Sequence, residues 1–321
     1  MKKFVLCLFA ITAFGAVSAQ TKWDLPSGYG PNTFQVQNLQ QFAEDVDRAT
    51  AGKLKITVHS NASLFKANEI KRAVQSAQVP AGEFILSGAA NEAPIFGVDS
   101  IPFLATSYVE SRRLDQASRP LLIKTLSAQG MKLLYTVAWP PQSLYSTKQV
   151  TALKDLKSTK MRAYNPATSY IATAVGAQPV TIQLAELPAA LATGGVDNFL
   201  TSSASGVDSK LYESAKFFYG VAAWLPRNAV VVNQKQFDAL DKASQDAVLQ
   251  QAAVAEQRGW KTSEIKDGEY IKELAAKGVK VDVEATSLKK ELKAIGDSMT
   301  ADWIKLAGDE GKSVIDAYLQ K

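Results

Sequence analysis

The chain has 321 residues but only one cysteine and one histidine. Cys7 stands inside an apolar N-terminal run, so no disulfide and no Cys-x-x-Cys pair can form within the chain. With His59 as the only imidazole, the metal sites that need two or three histidines are excluded. A Ser-His-Asp triad would have to use His59, and no G-x-S-x-G elbow occurs; following Ile56-Thr57-Val58, His59 reads as a strand-end residue. Gly28-Tyr29-Gly30 lacks the third glycine of a dinucleotide fingerprint. Gly311-Lys312-Ser313 lacks the first glycine of a phosphate loop, where Leu306 stands, and Asp309 and Glu310 would repel phosphate. Past the N-terminus no run of about 18 apolar residues appears. The formal charge of +5 includes Lys2 and Lys3, and the remaining excess is dispersed rather than gathered into a nucleic-acid footprint. Glu44, Asp45 and Asp47 fall on the polar side of an amphipathic helix and read as a solvated face. The sequence therefore calls for no catalysis, cofactor, metal or nucleic acid.

Lys2 and Lys3, the apolar run Phe4 to Val17 and the small residues Val17-Ser18-Ala19 predict a signal peptide over residues 1–19, cleaved before Gln20. The apolar run is too short for a stable anchor, so the expected location is the periplasm. About 300 mature residues predict two domains, each able to bury a core. Leu39, Phe42, Ala43, Val46 and Ala49 recur at helical spacing, and Leu54 to Val58 alternates as a strand. Glu83 to Ser87 and Met131 to Val137 read as strands, and Trp139-Pro140-Pro141 marks a crossing into a second domain. Ala229 to Asn233 reads as a strand that returns to the first. From Ser244 to Ala276 the composition predicts one long helix, weakened at Gly259 and capped at Gly278. Alternating strands and helices predict an α/β fold with mainly parallel sheets covered on both faces.

The stretch from Leu153 to Ser202 carries most of the functional signal. Lys160 to Tyr164 reads as a strand that presents Arg162 just before the Asn165-Pro166 breaker. A helix then reaches Gly194-Gly195, and Val196 to Leu200 reads as a buried strand. A lone guanidinium at a strand end suits a carboxylate, because its planar fork can donate two parallel hydrogen bonds.

Several segments, in order, resemble the substrate-binding proteins of tripartite ATP-independent periplasmic (TRAP) transporters, the DctP-like family. Phe42 to Val58 (FAEDVDRATAGKLKITV) is similar to the family's first helix and strand, and Val98 to Leu104 (VDSIPFL) to its "lPFL" segment. Leu156 to Arg162 (LKSTKMR) resembles "LkGlKiRv". Val175 to Val180 (VGAQPV), Glu186, Ala190 to Gly194 (ALATG) and Val196-Asp197 resemble "lGAxPv…E…ALqtGvvDg". The resemblance implies a two-lobed periplasmic binding fold with a hinge and a long inter-lobe helix, closing on a small organic acid. It implies that Arg162 is the carboxylate clamp. It also implies delivery of the ligand to a small and a large integral membrane subunit for uptake. The expected lobes are residues 20–138 with 229–267, and residues 139–228 with 268–321. Two departures stand out. Asn198-Phe199-Leu200-Thr201-Ser202 replaces the usual polar "DGqExP" run, and Trp139 to Tyr145 lacks the second arginine of sialic-acid-type members.

Those departures predict an apolar-walled cleft and a monocarboxylate ligand, 2-oxo, 2-hydroxy or aromatic, rather than a sugar acid or dicarboxylate. Beside Arg162, the expected wall residues are Trp139, Phe199 and Tyr29, with Tyr164 and Trp224 as weaker candidates. Asn165, Asn198 and Thr201 are candidate neutral partners for a ligand oxygen. Glu69 is expected either to orient a water network in the first lobe or to face solvent on its helix. The competing readings are a receptor for an ATP-driven importer, an exported enzyme on a related two-lobed fold, and a signalling co-receptor.

Overall fold

The structure is a computed structural model that describes residues 20–320; the signal peptide expected over residues 1–19 lies outside the described residues. The first lobe begins with β1 (Thr21–Pro26), α1 (Phe34–Ala49), β2 (Leu54–His59), α2 (Ile70–Gln75), β3 (Ala81–Ile85), α3 (Tyr108–Ala128) and β4 (Met131–Ala138). The chain then crosses to β5 (Ser143–Ser146), β6 (Lys160–Ala163), α4 (Pro166–Ala174), β7 (Gln178–Thr181), α5 (Leu187–Ala192), β8 (Asn198–Thr201), α6 (Ser203–Asp208) and β9 (Phe217–Tyr219). It returns through β10 (Arg227–Asn233) and α7 (Gln234–Asp238). The long α8 (Lys242–Ala276), β11 (Lys280–Asp282) and α9 (Thr286–Leu319) complete it.

The α/β class and the two-lobed plan agree with the sequence, but the strand directions do not. Only four of the eight strand pairs are parallel. The reason lies in the crossings. β10 comes back from the second lobe and inserts between β3 and β4 running against both. β5 likewise enters the six-stranded sheet against β8 and β9, while β6 keeps parallel neighbours β7 and β8. Strands that commute between sheets break the parallel βαβ rule that local alternation suggests.

The two crossing segments lie side by side. Trp139 donates its backbone N–H to the Pro226 carbonyl at 2.8 Å, Gln142 to Trp224 at 2.8 Å, and Ala223 to Gln142 at 2.9 Å. Where the chain re-enters the first lobe, buried Arg227 is held by Asp99, 3.0 Å from its Nε, and by Asp115. Arg119 joins Asp115 to Glu256 of α8. This network fixes the first-lobe side of the crossing to α3 and α8.

The helix α8 has 35 residues. Asp241 caps its start by accepting from the Ser244 N–H at 2.9 Å, and Gly278 follows its end at φ +85°. Gly259 is no weak point of this helix. A Cβ there would sit 2.5 Å from Val137 Cγ2 and 2.8 Å from Asn38 Nδ2, so the glycine lets α8 lie against β4 and α1. The C-terminal helix is divided. Leu288 and Leu292 pack with the second lobe, but Trp303, Val314, Ile315 and Tyr318 pack with the first. Gly308 breaks α9 with φ +61° and ψ −152°. The expected boundary gave residues 268–321 to the second lobe, whereas the apolar face of α9 from Trp303 onward packs with the first lobe, beside α3.

Gly259→Ala is expected to destabilise the protein by about 1–3 kcal/mol through overpacking. Gly268→Ala, in the same helix with nothing within 4 Å of its would-be Cβ, should stabilise by up to about 1 kcal/mol. Chemical denaturation of the two variants checks the contrast; equal effects of the same sign would refute it.

Candidate functional site

Between the lobes lies a cavity of about 600 Å³. Its first-lobe wall is built by the loop after β1, the start of α2 and the end of β3 with the turn that follows. Its second-lobe wall is built by β6, the start of α4, the segment after β7 and Thr201 at the end of β8. Strand ends converge here because the strands of an α/β layer expose backbone and side chains only at their termini.

Arg162 is the third residue of β6, and its neighbour Met161 belongs to the opposite, apolar face of the sheet. Its side chain is only 4% exposed. Nε donates to the Ile182 carbonyl at 2.8 Å, and the guanidinium carbon stands 4.9 Å from the centre of the Tyr164 ring. Arg162 forms no ion pair among the described residues. Burial pushes its pKa down to about 10, with Tyr164 and Tyr29 acting in the opposite sense. Arg227 offers the internal comparison. It too is buried, yet Asp115 and Asp99 more than offset desolvation and hold its pKa above the usual value. One buried arginine has two carboxylates; the other faces a cavity whose carboxylates, Glu83, Glu92 and Glu186, form no ion pair with it. A buried charge left in that state is costly until an anion arrives.

The other predicted site residues divide into two groups. Tyr29, Trp139, Asn165 and Thr201 line the cavity with Arg162. Tyr29 and Trp139 meet edge to face at 4.9 Å between ring centres, and both donate to Asn228 Oδ1, Trp139 Nε1 at 2.8 Å and Tyr29 Oη at 3.3 Å. Asn165 caps α4 by accepting from the Thr168 N–H at 2.8 Å, and its Nδ2 reaches the first lobe at Ser87 Oγ, 2.9 Å away. The cap thus doubles as a contact across the cleft. Tyr164 lines the cavity as well, and its hydroxyl donates to Gln142 at 3.3 Å.

Phe199, Asn198 and Glu69 do not line it. Phe199 is paired in register with Arg162 across β8, but its ring stacks on Tyr145 at 5.0 Å within a cluster that includes Leu187 and Leu191. The helices over that face shut the short phenyl ring away, while the longer arginine reaches past them. Asn198 begins β8, at the end remote from the cavity, and its Nδ2 donates to Thr159 Oγ1 at 2.8 Å. Glu69 is exposed and folds back to accept from the Lys66 N–H at 3.2 Å, closing the turn into α2. Trp224 belongs to the second lobe's apolar cluster.

Sequence reasoning missed Glu83, which had been read only as the start of a buried strand. It lines the cavity at 1% exposure. Ser27 Oγ donates to its Oε2 at 2.6 Å and Asn228 Nδ2 to its Oε1 at 2.9 Å. Burial pushes its pKa up to about 7 against these two bonds. Lys71, also on the wall, pairs with Glu92. Among the described residues no cluster of acidic, histidine or cysteine side chains could hold a metal, and no helix is long and apolar enough to cross a membrane.

The arrangement can grip an anion at Arg162, pack a compact apolar body on Trp139 and Tyr29, and offer hydrogen bonds at the opposite wall. Arg162→Met should remove the unpaired charge and raise the stability of the ligand-free protein by about 0.5–2 kcal/mol. A lower melting temperature for this variant, without ligand, would contradict the reading of Arg162 as uncompensated.

Residues 27–306 match the family model DctP, described as bacterial extracellular solute-binding protein, family 7. The structure is similar to that of DctP6, a Bordetella pertussis extracytoplasmic solute receptor binding pyroglutamic acid. The two share 50% identity, covering 94% of this chain and 100% of that one, with a TM-score of 0.92. A TRAP solute-binding protein from a marine metagenome, specific for pyroglutamate, is 39% identical over 94% of this chain and 100% of its own, with a TM-score of 0.92. A TRAP solute-binding protein of Haemophilus influenzae with bound L-gulonate is 20% identical over 93% of this chain and 99% of its own; its TM-score of 0.86 reflects the fold.

Proposed function

Because the chain belongs to family 7 of the bacterial extracellular solute-binding proteins, the DctP family of TRAP solute receptors, we propose that its ligand is pyroglutamate or a closely related cyclic monocarboxylate. The observation that carries the proposal is Arg162: a buried guanidinium with no carboxylate partner, facing the inter-lobe cavity. A single ligand carboxylate completes it. The ring of such an acid is small and apolar on its faces, which suits Trp139 and Tyr29, and polar at its amide edge. The similarity to two pyroglutamate-binding receptors at 50% and 39% identity supports the same choice. This narrows the sequence expectation of a 2-oxo, 2-hydroxy or aromatic acid to a cyclic amide acid.

Binding would draw the lobes together about the paired crossing segments, a hinge motion of the kind that two-lobed receptors use. The closed receptor would then hand its ligand to a small and a large membrane subunit. Membership of the TRAP family favours this route over an ATP-driven importer, and nothing in the cleft requires a chemical step. The proposed location is the periplasm, reached by cleavage of the N-terminal leader, and the proposed ligand contacts are Arg162, Tyr29, Trp139, Asn165 and Thr201.

Isothermal titration with pyroglutamate, C4-dicarboxylates and sugar acids tests the proposal. Saturable one-to-one binding of pyroglutamate is expected, with Arg162→Ala costing about 2–5 kcal/mol and Arg162→Lys restoring only part, since an ammonium lacks the planar fork. Binding of sugar acids or dicarboxylates alone, or near-normal affinity in Arg162→Ala, would overturn it.

A further inference from the structure

We infer that Glu83 is a specificity-determining residue of the cleft: its carboxylate accepts the ring N–H of a cyclic amide acid whose own carboxylate lies on Arg162. The inference rests on the proposed pyroglutamate reading and adds the part of the ligand that the arginine does not recognise.

The hydrogen-bond directions around Glu83 are fixed from outside. The Trp139 indole N–H can only donate, and it donates to Asn228 Oδ1. That turns the amide of Asn228 so that Nδ2 faces Glu83 and donates to Oε1. On the other side, Ser27 Oγ accepts from the Tyr29 backbone N–H at 3.3 Å, which leaves its own proton directed at Glu83 Oε2. Both protein neighbours therefore present donors, and the pocket is built for an acceptor. An ionised carboxylate has about four lone-pair positions; two are used. No cation pairs with Glu83 among the described residues, so a donor from the cavity is the partner still wanting.

The charges lining the cavity point the same way. Lys66, Lys71, Arg72 and Arg162 stand against Glu83, Glu92 and Glu186. With all three glutamates ionised the wall carries one excess positive charge, and one ligand carboxylate neutralises it. Glu83 on β3 and Arg162 on β6 line the cavity from opposite lobes, so the two ends can read different parts of one ligand. Burial pushes Glu83 up to about 7; a ligand N–H favours the ionised form and draws the value back down. Other titratable groups near Glu83 are Tyr29 and Tyr135, both held well above neutrality by burial and by Glu83 itself. The His59–Asp24 pair on the neighbouring strands lies outside the cavity lining.

The test compares pyroglutamate with its lactone isostere, 5-oxotetrahydrofuran-2-carboxylate, which keeps the carboxylate and ring carbonyl but has no N–H. Titration calorimetry of the wild-type protein should favour the lactam by at least about thirtyfold, because a site built to pair an N–H is left unsatisfied by an analogue lacking it. Glu83→Gln should weaken lactam binding by about 10–100-fold and bring the two ligands within about threefold. In the wild type, lactam affinity should rise by up to about tenfold per pH unit from pH 5 to 7 and then level off, with a proton released on binding near pH 6. Glu83→Gln should lose that release, which subtracts any contribution from His59. The wild-type selectivity and proton count stand even if the variant does not fold. Lactone binding within threefold of lactam, or proton uptake, would overturn the inference while leaving the pyroglutamate reading intact. Failure of both ligands to bind would overturn both.

Discussion

A buried positive charge must be neutralised, and the cleft is organised around one that the protein leaves open. The chain shows how it treats a structural arginine: Arg227 is enclosed with Asp99 and Asp115, and Arg119 extends the pairing to Glu256. Arg162 receives one carbonyl and one aromatic face. The difference separates an arginine that holds the fold together from one that, in the proposed reading, takes its counter-ion from solution. It also gives a reason for ligand-driven closure, since the carboxylate relieves a desolvation cost that the ligand-free receptor carries.

The architecture serves this arrangement. Strands β3, β6 and β8 bring Glu83, Arg162 and Thr201 to the cavity. The crossing segments around Trp139 and Pro226 form its floor, hydrogen-bonded to one another and anchored by the Arg227 network. Trp139 is the point where these roles meet: its backbone joins the crossing segments and its ring lines the cleft. Its indole N–H orients Asn228, and through it Glu83. A hinge placed this close to the site lets a small ligand influence the relation between large bodies.

Much of this was legible in the sequence, and the failures are instructive. The burial of Arg162 at the cavity was foreshadowed by a lone cation before an Asn-Pro breaker together with the resemblance of Leu156 to Arg162 to a family segment. The long helix could be found because about 35 residues without proline and rich in alanine, lysine and glutamate have few other options. Strand direction could not, since β5 and β10 reverse their neighbours only through the crossing between lobes. Phe199 was misjudged because period-two alternation gives the face of a sheet but not what covers it; Tyr145 and Leu187 do. Asn198 lies at the end of its strand away from the cavity, and Glu69 faces solvent from a turn, the second of its two sequence readings. A signal for Glu83 was present: a glutamate inside an apolar strand should always prompt the question of its partner. Asn228, heading the run Ala229 to Val232, asked the same question, and the two answer each other.

The central claim is that a ligand carboxylate completes Arg162. A crystal structure of the protein grown with pyroglutamate tests it most directly. The account predicts both carboxylate oxygens about 2.7–2.9 Å from the two terminal guanidinium nitrogens. A ligand seated with its carboxylate on Lys71 or Arg72 instead, and Arg162 still unpaired, would contradict it.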